Sequence, residues 1–134
     1  MSRVRDAMVG DPLALESSAT AQDAATRLAG PEVRAVLVCD EGRFVGVVTR
    51  STLVREVVAR GRDPRVTTLA QIAEPPRFTI EADMGLDEAY RLLEERDLER
   101  VPVVQSGRLV GVLSRSVLQR RLAEDETDSG DIEI

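Results

Sequence analysis

The chain has 134 residues, 43% of them hydrophobic and 31% charged, which predicts one compact soluble domain and excludes two of ordinary size. It has no histidine, and all 18 basic residues are arginine, so histidine general bases, imidazole zinc sites, lysine Schiff bases and Walker lysines are excluded. Six of the 24 acidic residues lie in the last eleven positions, which leaves 18 to balance the 18 arginines within a net charge of −6.

The composition also bears on compartment and partners. No apolar run approaches the roughly 18 residues of a membrane span, and Met1–Arg5 lacks the order of a secretory signal. Cys39 is the single cysteine and lies in an apolar segment, so an internal disulfide is excluded. Two Phe, one Tyr, no Trp and no basic block argue against nucleic acid as a partner. We therefore expect a cytoplasmic protein that binds neither membrane nor nucleic acid.

The first half of the chain predicts five elements after a half-buried turn at Val4–Met8. Apolar residues at helical spacing predict an amphipathic helix, and two later apolar runs are too short to be helices. Between these runs, Gly42 supplies the positive φ that a tight hairpin needs. In chain order the elements are a strand at Leu13–Leu15, a helix at Thr20–Ala29, strands at Ala35–Cys39 and Phe44–Thr49, and a helix from Arg50 through Val57.

The second half repeats this pattern after a linker at Gly61–Val66 and a turn at Leu69–Ala73. Gly107 takes the place of Gly42 in the hairpin between the two apolar runs. The elements are a strand at Phe78–Ile80, a helix at Gly85–Arg96, strands at Val101–Val104 and Leu109–Ser114, and a helix from Arg115 through Leu122.

An internal repeat at an offset of 65 residues accounts for the two matching halves. It is clearest where Gly42–Ser51 (GRFVGVVTRS) aligns with Gly107–Ser116 (GRLVGVLSRS). Because turn glycines, an arginine and helix-spaced leucines all align, a coincidence of two Val-rich strands does not explain the match. The sequence predicts an α+β fold of two β-α-β-β-α repeats, packed sheet to sheet about a pseudo-two-fold axis. The expected boundaries are 1–62 for the first repeat, 63–123 for the second, and 124–134 for an acidic disordered tail.

The repeats resemble the cystathionine β-synthase (CBS) domain family in the tandem pair called a Bateman module. The resemblance covers about Val4 to Ala123 and rests on Glu99–Val104 (ERVPVV), on the Gly42 and Gly107 turns, and on a repeated Gly-x-x-Thr/Ser motif at the strand-to-helix junction. It implies a non-enzymatic regulatory module that senses an adenine nucleotide such as AMP, ADP or ATP, or S-adenosylmethionine. No nucleophile-base pair, metal-ligand cluster or phosphate loop in the sequence indicates catalysis.

The same resemblance implies the ligand-binding residues. Thr49 and Ser114 match the hydroxyl that meets phosphate or ribose, and Arg50 and Arg115 match the neighbouring position, which is often basic. A phosphate at such a junction would also meet the N–H groups of a helix N-terminus. Arg100 is a further candidate, from the Glu99–Val104 segment. No metal site is expected.

The pattern departs from the family at the aspartate that holds the ribose. Thr52 and Val117 stand at the two corresponding positions, so ribose recognition should be weak. Thr52 retains one hydroxyl and is kept as a candidate, so a nucleotide is expected to bind more tightly at the first motif than at the second.

Each candidate also has a purely structural interpretation. Thr49 and Ser114 are preferred helix N-caps, Arg50 and Arg115 can be solvated first-turn residues, and Arg100 can pair with an acid such as Glu99. A rival hypothesis is a docking or dimerisation module whose ligand clefts have decayed. In both hypotheses a homodimer is expected, because the second helices carry broad apolar stripes, and a separate effector protein is a candidate partner.

Overall fold

The structure, a computed structural model, describes residues 2–10 and 12–132, with side chains described up to Glu124. The elements are α1 (Val4–Ala7), β1 (Val9–Gly10), β2 (Ala14–Glu16), α2 (Ala21–Leu28), β3 (Val36–Asp40), β4 (Arg43–Val48), α3 (Arg50–Leu53) running into a π-helix (Val54–Val58), α4 (Leu69–Ile72), β5 (Ile80–Glu81), α5 (Leu86–Glu95), β6 (Arg100–Gln105), β7 (Arg108–Ser114) and α6 (Arg115–Ile132). The predicted strands and helices are thus confirmed, with ends that differ by one or two residues in most cases. The segments predicted as turns, Val4–Met8 and Leu69–Ala73, instead contain the short helices α1 and α4.

The chain forms two compact units. Unit 2 comprises Leu13–Arg77, and unit 1 combines Met1–Pro12 with Phe78–Ile134. Each unit carries one β-α-β-β-α repeat, in which a short first strand pairs in parallel with a central strand that is itself in an antiparallel hairpin: β2-β3-β4 in unit 2 and β5-β6-β7 in unit 1.

The hairpin turns explain the repeated glycines. Gly42 and Gly107 have φ of 88° and 78°, as predicted, and the residues before them, Glu41 and Ser106, also have positive φ of 51° and 54°. Two successive positive φ angles define the two-residue turn that matches the twist of a hairpin. The positive φ of Glu41 and Ser106 was not predicted, because neither residue type favours the left-handed region as glycine does.

The segment that precedes each repeat, here called its lead-in segment, packs on the unit built from the other repeat. The lead-in segments contain α1 and α4, and we call this arrangement the exchange of lead-in segments. In unit 1, β1 pairs with β7 through Val9 opposite Val112. In unit 2 the corresponding residue, Glu74, pairs with Val47. The compact units therefore differ from the sequence repeats 1–62 and 63–123 in these segments. The reason is that α1 and α4 each complete a core that the remaining elements of that unit leave open.

The cores are aliphatic, and each core includes the lead-in helix of the other repeat. Each combines the buried face of the amphipathic helix, the central strands, the second helix and the lead-in helix. The buried core residues of unit 1 are Val4, Ala7, Ile80, Ala82, Leu86, Ala89, Leu93, Val101, Val103, Leu113 and Leu118, and those of unit 2 are Ala21, Ala24, Leu28, Val36, Val38, Val48, Val57, Leu69 and Ile72.

The second helices depart most from expectation. In unit 2 the helix that begins at Arg50 changes to a π-helix, marked by the hydrogen bond from Ala59 N–H to the Val54 carbonyl at 2.8 Å. In unit 1, α6 continues to Ile132, so the backbone of 124–132 is helical where the composition predicts a disordered tail. Extending an existing helix costs far less than nucleating one. The side chains of 125–134 lie outside the described residues.

Within the described part, no helix has the length and apolar character that crossing a membrane requires.

Acid should destabilise the cap of α2. Asp23 accepts a hydrogen bond from Thr20 N–H at 3.0 Å, and hydrogen bonds from the backbone and side chain of Thr20 hold the pKa of Asp23 below its usual 3.8. A carboxyl whose pKa is lowered by folding stabilises the fold above its unfolded pKa and loses that contribution as pH falls through the folded value. We expect Asp23→Asn to lower the melting temperature slightly near neutral pH and to have no effect once the pH lies below the lowered pKa of Asp23, measured by circular dichroism. A pH-independent difference would contradict this role.

Candidate functional site

The first strand-to-helix motif is a closed N-cap. Thr49 is the N-cap of α3, and its Oγ1 accepts from Thr52 N–H at 3.3 Å while Thr49 N–H donates to Thr52 Oγ1 at 3.0 Å. The two hydroxyls lie 3.1 Å apart. Thr49 is half-buried, whereas Thr52 is only 1% exposed. The structure thus shows Thr52 holding the turn together with its hydroxyl.

Arg50 extends from this cap to the end of α2. Its Nη2 donates to the carbonyl oxygens of Leu28 at 2.5 Å and Gly30 at 2.8 Å. These carbonyls belong to the helix C-terminus, where a cation is favoured by the exposed backbone acceptors and the helix dipole. Both acceptors are neutral, so these two hydrogen bonds do not compensate the charge of the exposed Arg50 side chain.

The second motif has the same N-cap, but carboxylates compensate the positive charge of its arginine, Arg115. Ser114 Oγ accepts from Val117 N–H at 3.3 Å, as Thr49 does in the first repeat. The Arg115 guanidinium donates from Nη2 to Glu99 Oε1 and lies 3.5 Å from Asp97 Oδ1. Its hydrogen bond to Glu99 raises the pKa of Arg115 above its ordinary value.

The remaining predicted residues do not join either cap. Arg100 is exposed at the start of β6, opposite Ser114 in the ladder, and Glu99, the suggested partner of Arg100, accepts a hydrogen bond from Arg115. The half-buried Val117 carries no hydroxyl or carboxylate at the position of Thr52. Sequence reasoning missed Glu99 as a partner of Arg115, although continuing the hairpin one step beyond Arg100 and Ser114 places these two residues opposite each other.

Two depressions of the described surface, one in each unit, contain no residue predicted for the ligand site. A groove of about 430 Å³ in unit 1 lies beside the start of α5, and one of about 190 Å³ in unit 2 is lined by Ser17, Asp40, Val45, Ala70 and Ala73. Among the side chains described, no three His, Cys, Asp or Glu residues cluster in a way that would hold a metal ion.

Comparison with known proteins identifies the class of fold. The profile of the CBS domain matches residues 4–59 and 69–124, which together cover most of the chain, so the protein belongs to the CBS domain family. The expected family and the expected mixed fold of two repeats are therefore confirmed.

Individual relatives match this sequence along most of their length. Hypoxic response protein 1 of Mycobacterium tuberculosis is 28% identical over 125 residues, covering 92% of this chain and 87% of that protein. CBS domain-containing protein YhcV of Bacillus subtilis is 26% identical over 114 residues, covering 85% and 81%.

Two crystal structures show the same fold. That of Hypoxic Response Protein I with two coordinated zinc ions has a TM-score of 0.75 at 26% identity, covering 90% of this chain and 99% of the other. That of CBSX2 in complex with AMP has a TM-score of 0.72 at 23% identity, covering 94% and 99%, and shows likeness of fold alone. This chain has no histidine, and its described side chains form no cluster of His, Cys, Asp or Glu that would hold a metal ion.

Proposed function

We propose that this protein is a non-enzymatic regulatory CBS pair that binds an adenine nucleotide or a related anion weakly, through Thr49 and Arg50. The observation that carries the proposal is that two equivalent arginines have different hydrogen-bond partners. Arg50 is bonded to neutral carbonyls, whereas Arg115 is bonded to Glu99 and lies beside Asp97. An anion gains the charge of Arg50 by displacing neutral acceptors, but at Arg115 it must displace a carboxylate.

The proposed site is a weak one for physical reasons. Thr52 is buried and its hydroxyl is engaged with Thr49, so no carboxylate or available hydroxyl stands where the family's ribose contact would be. Each missing charge-assisted hydrogen bond removes roughly 1.5–3 kcal/mol of binding free energy. Phosphate therefore supplies most of the recognition, and Ser114, Arg115 and Arg100 contribute little.

A thermal-shift panel tests this function. AMP, ADP, ATP and S-adenosylmethionine are the candidates, and AMP comes first because a protein of the same fold was crystallised with it. A ligand that binds only the folded protein raises the melting temperature with its concentration. We expect phosphate-bearing ligands to stabilise the wild type, adenosine to do so less, and Arg50→Ala to remove the difference. No shift with any of these ligands would reject the proposal.

Dimerisation is the second candidate function, favoured by an exposed apolar face. Val54 and Val58 on the π-helix are 61% and 72% exposed, an unusual exposure for two valines one turn apart. We propose that this face is covered in a homodimer, the form in which the module would present itself to a separate effector protein.

A charge placed on this face should disrupt the dimer. We expect a dimeric mass for the wild type by light scattering at tens of micromolar and a monomer for Val58→Asp, because burying an unpaired carboxylate is costly. Val66→Asp, at a valine 73% exposed in the linker, is the matched control and should remain dimeric. A monomeric wild type would contradict the proposal.

A further inference from the structure

The C-terminus of α2 is capped by a side chain of the proposed site. Arg50 Nη2 donates to the carbonyl oxygen of Leu28, the last residue of α2, at 2.5 Å, and to that of Gly30 just beyond the helix at 2.8 Å. The last carbonyls of a helix have no partner within the helix and need donors from elsewhere. The end of α2 receives such a donor from the arginine through which we propose that an anion binds.

The C-terminus of α5, the equivalent helix of unit 1, is capped by its own backbone. Asp97 has a positive φ of 53°, and the N–H of the next residue, Leu98, donates to the Leu93 carbonyl at 2.9 Å. Asp97 N–H donates to the Glu94 carbonyl at 3.2 Å. These two bonds around a left-handed residue form a Schellman motif, a common backbone cap of helices. The end of α5 therefore does not depend on Arg115, whose guanidinium is bonded to carboxylates instead.

Pro31 prevents the same cap at α2. Proline has no N–H and cannot continue a helix, so α2 ends at Leu28 and the chain turns soon afterwards. Val33 N–H donates to the Gly30 carbonyl at 3.1 Å, which closes the turn Gly30–Val33, here called the α2 turn. Proline is favoured at the second position of such a turn, where its fixed φ is the one required. The backbone beyond α2 is thus used to close the α2 turn.

The Leu28 carbonyl shows the difference between the repeats most directly. It corresponds to the Leu93 carbonyl at the offset of 65 residues. The Leu93 carbonyl accepts from the backbone of its own Schellman motif, whereas within the described chain no backbone N–H beyond α2 donates to the Leu28 carbonyl and Arg50 is its donor. Because the same Nη2 atom also donates to Gly30, one guanidinium holds both the end of α2 and the α2 turn.

We propose that an anion bound by Arg50 releases the end of α2 and the α2 turn, which makes this segment the ligand-responsive element of the module. The inference rests on the proposed function, because it requires an anion at Arg50. An anion that displaces the two carbonyls from the guanidinium leaves them without their charged donor. By linkage the two events oppose each other: binding loosens the α2 turn, and the intact cap weakens binding.

The α2 turn lies at the surface, where its release changes what the module presents. Pro31 and Glu32 are exposed, whereas Val33 is half-buried and packs against the core of unit 2. Local opening takes the least free energy where backbone hydrogen bonds are exposed and few apolar contacts hold the chain. Loss of the bonds from Arg50 therefore acts on the α2 turn and leaves the core of unit 2 in place.

Hydrogen exchange of the full chain, followed by NMR, tests the cap without any ligand. We expect Arg50→Ala to speed exchange of the Ala29 and Val33 amides about three- to tenfold, the effect of losing one or two hydrogen bonds. Arg115→Ala is the matched control and should leave exchange of the Leu98 amide unchanged, because α5 is capped by its backbone. Melting curves check that both variants fold. Equal exchange of Val33 in the wild type and Arg50→Ala would overturn the proposal.

The same amides measured with saturating AMP separate the release of α2 from the proposed function. When calorimetry shows that AMP is bound, we expect faster exchange at Ala29 and Val33 in the wild type and no change at Leu98. Adenosine, which lacks the phosphate, should leave all three amides unchanged. If AMP binds and Val33 exchanges no faster, the release of α2 is wrong and the proposed function stands. If neither AMP nor inorganic phosphate binds, the proposed function fails and the release of α2 fails with it.

Discussion

Gly46→Ala should lower the stability of the protein by at least about 2 kcal/mol and its melting temperature by roughly 8 °C. A Cβ at this position would lie 2.6 Å from the Glu74 carbonyl oxygen and 3.1 Å from Ala73 Cβ. The obstacle is backbone, fixed by hydrogen bonds in both directions between Val47 and Glu74 at 2.8 and 2.9 Å. The added methyl group therefore has to push the lead-in segment away from β4.

The control for this prediction is Gly10→Ala. A Cβ on Gly10 would meet no atom within 4 Å, and its φ is not in the left-handed range. Thermal unfolding of both variants should show a large loss for Gly46→Ala and little change for Gly10→Ala. If Gly46→Ala had the same melting temperature as the wild type, the close approach of the segment 73–74 to β4 would be wrong. The exchange of lead-in segments would then be wrong as well.

Leu69→Ala should cost about 2–5 kcal/mol of stability. Leu69 lies in α4, is fully buried, and packs into the core of unit 2. Truncating it removes transfer free energy and leaves a cavity, because the surrounding backbone is held by the bonds from Leu69 N–H to the Ala19 carbonyl and from Ala70 N–H to the Ser17 carbonyl, at 2.8 and 2.9 Å.

Val66→Ala serves as the comparison, since Val66 lies three residues earlier and is 73% exposed. Chemical denaturation should give a change below about 0.5 kcal/mol for Val66→Ala. A small effect of Leu69→Ala would show that α4 is a linker and not part of the core of unit 2.

Much of the fold could be predicted because the signals are local and occur twice. The Gly42 and Gly107 turns, the apolar strands and the amphipathic helices each follow from spacing within about ten residues. The exchange of α1 and α4 could not be predicted, since Val4 and Leu69 indicate burial without indicating in which unit. The π-helix was missed because α- and π-helical turns share the same composition.

The sequence predicted where the candidate site residues lie in the chain, but it did not predict their burial or their hydrogen-bond partners. Thr49 and Ser114 do begin helices, but the closed pair of Thr49 and Thr52 depends on burial, which sequence spacing does not show. The partners that distinguish Arg50 from Arg115 are backbone carbonyls in one repeat and carboxylates in the other. Carbonyl acceptors are present at every residue, so only a structure shows which ones a guanidinium reaches.

Calorimetric titration of AMP into the wild type, Arg50→Ala and Arg115→Ala tests the central claim most directly. The two variants remove the same side chain from equivalent motifs, so each serves as the control for the other. We expect one weak site per chain in the wild type, its loss in Arg50→Ala and its retention in Arg115→Ala. Binding that is lost in Arg115→Ala and kept in Arg50→Ala, or no binding to the wild type, would contradict the account.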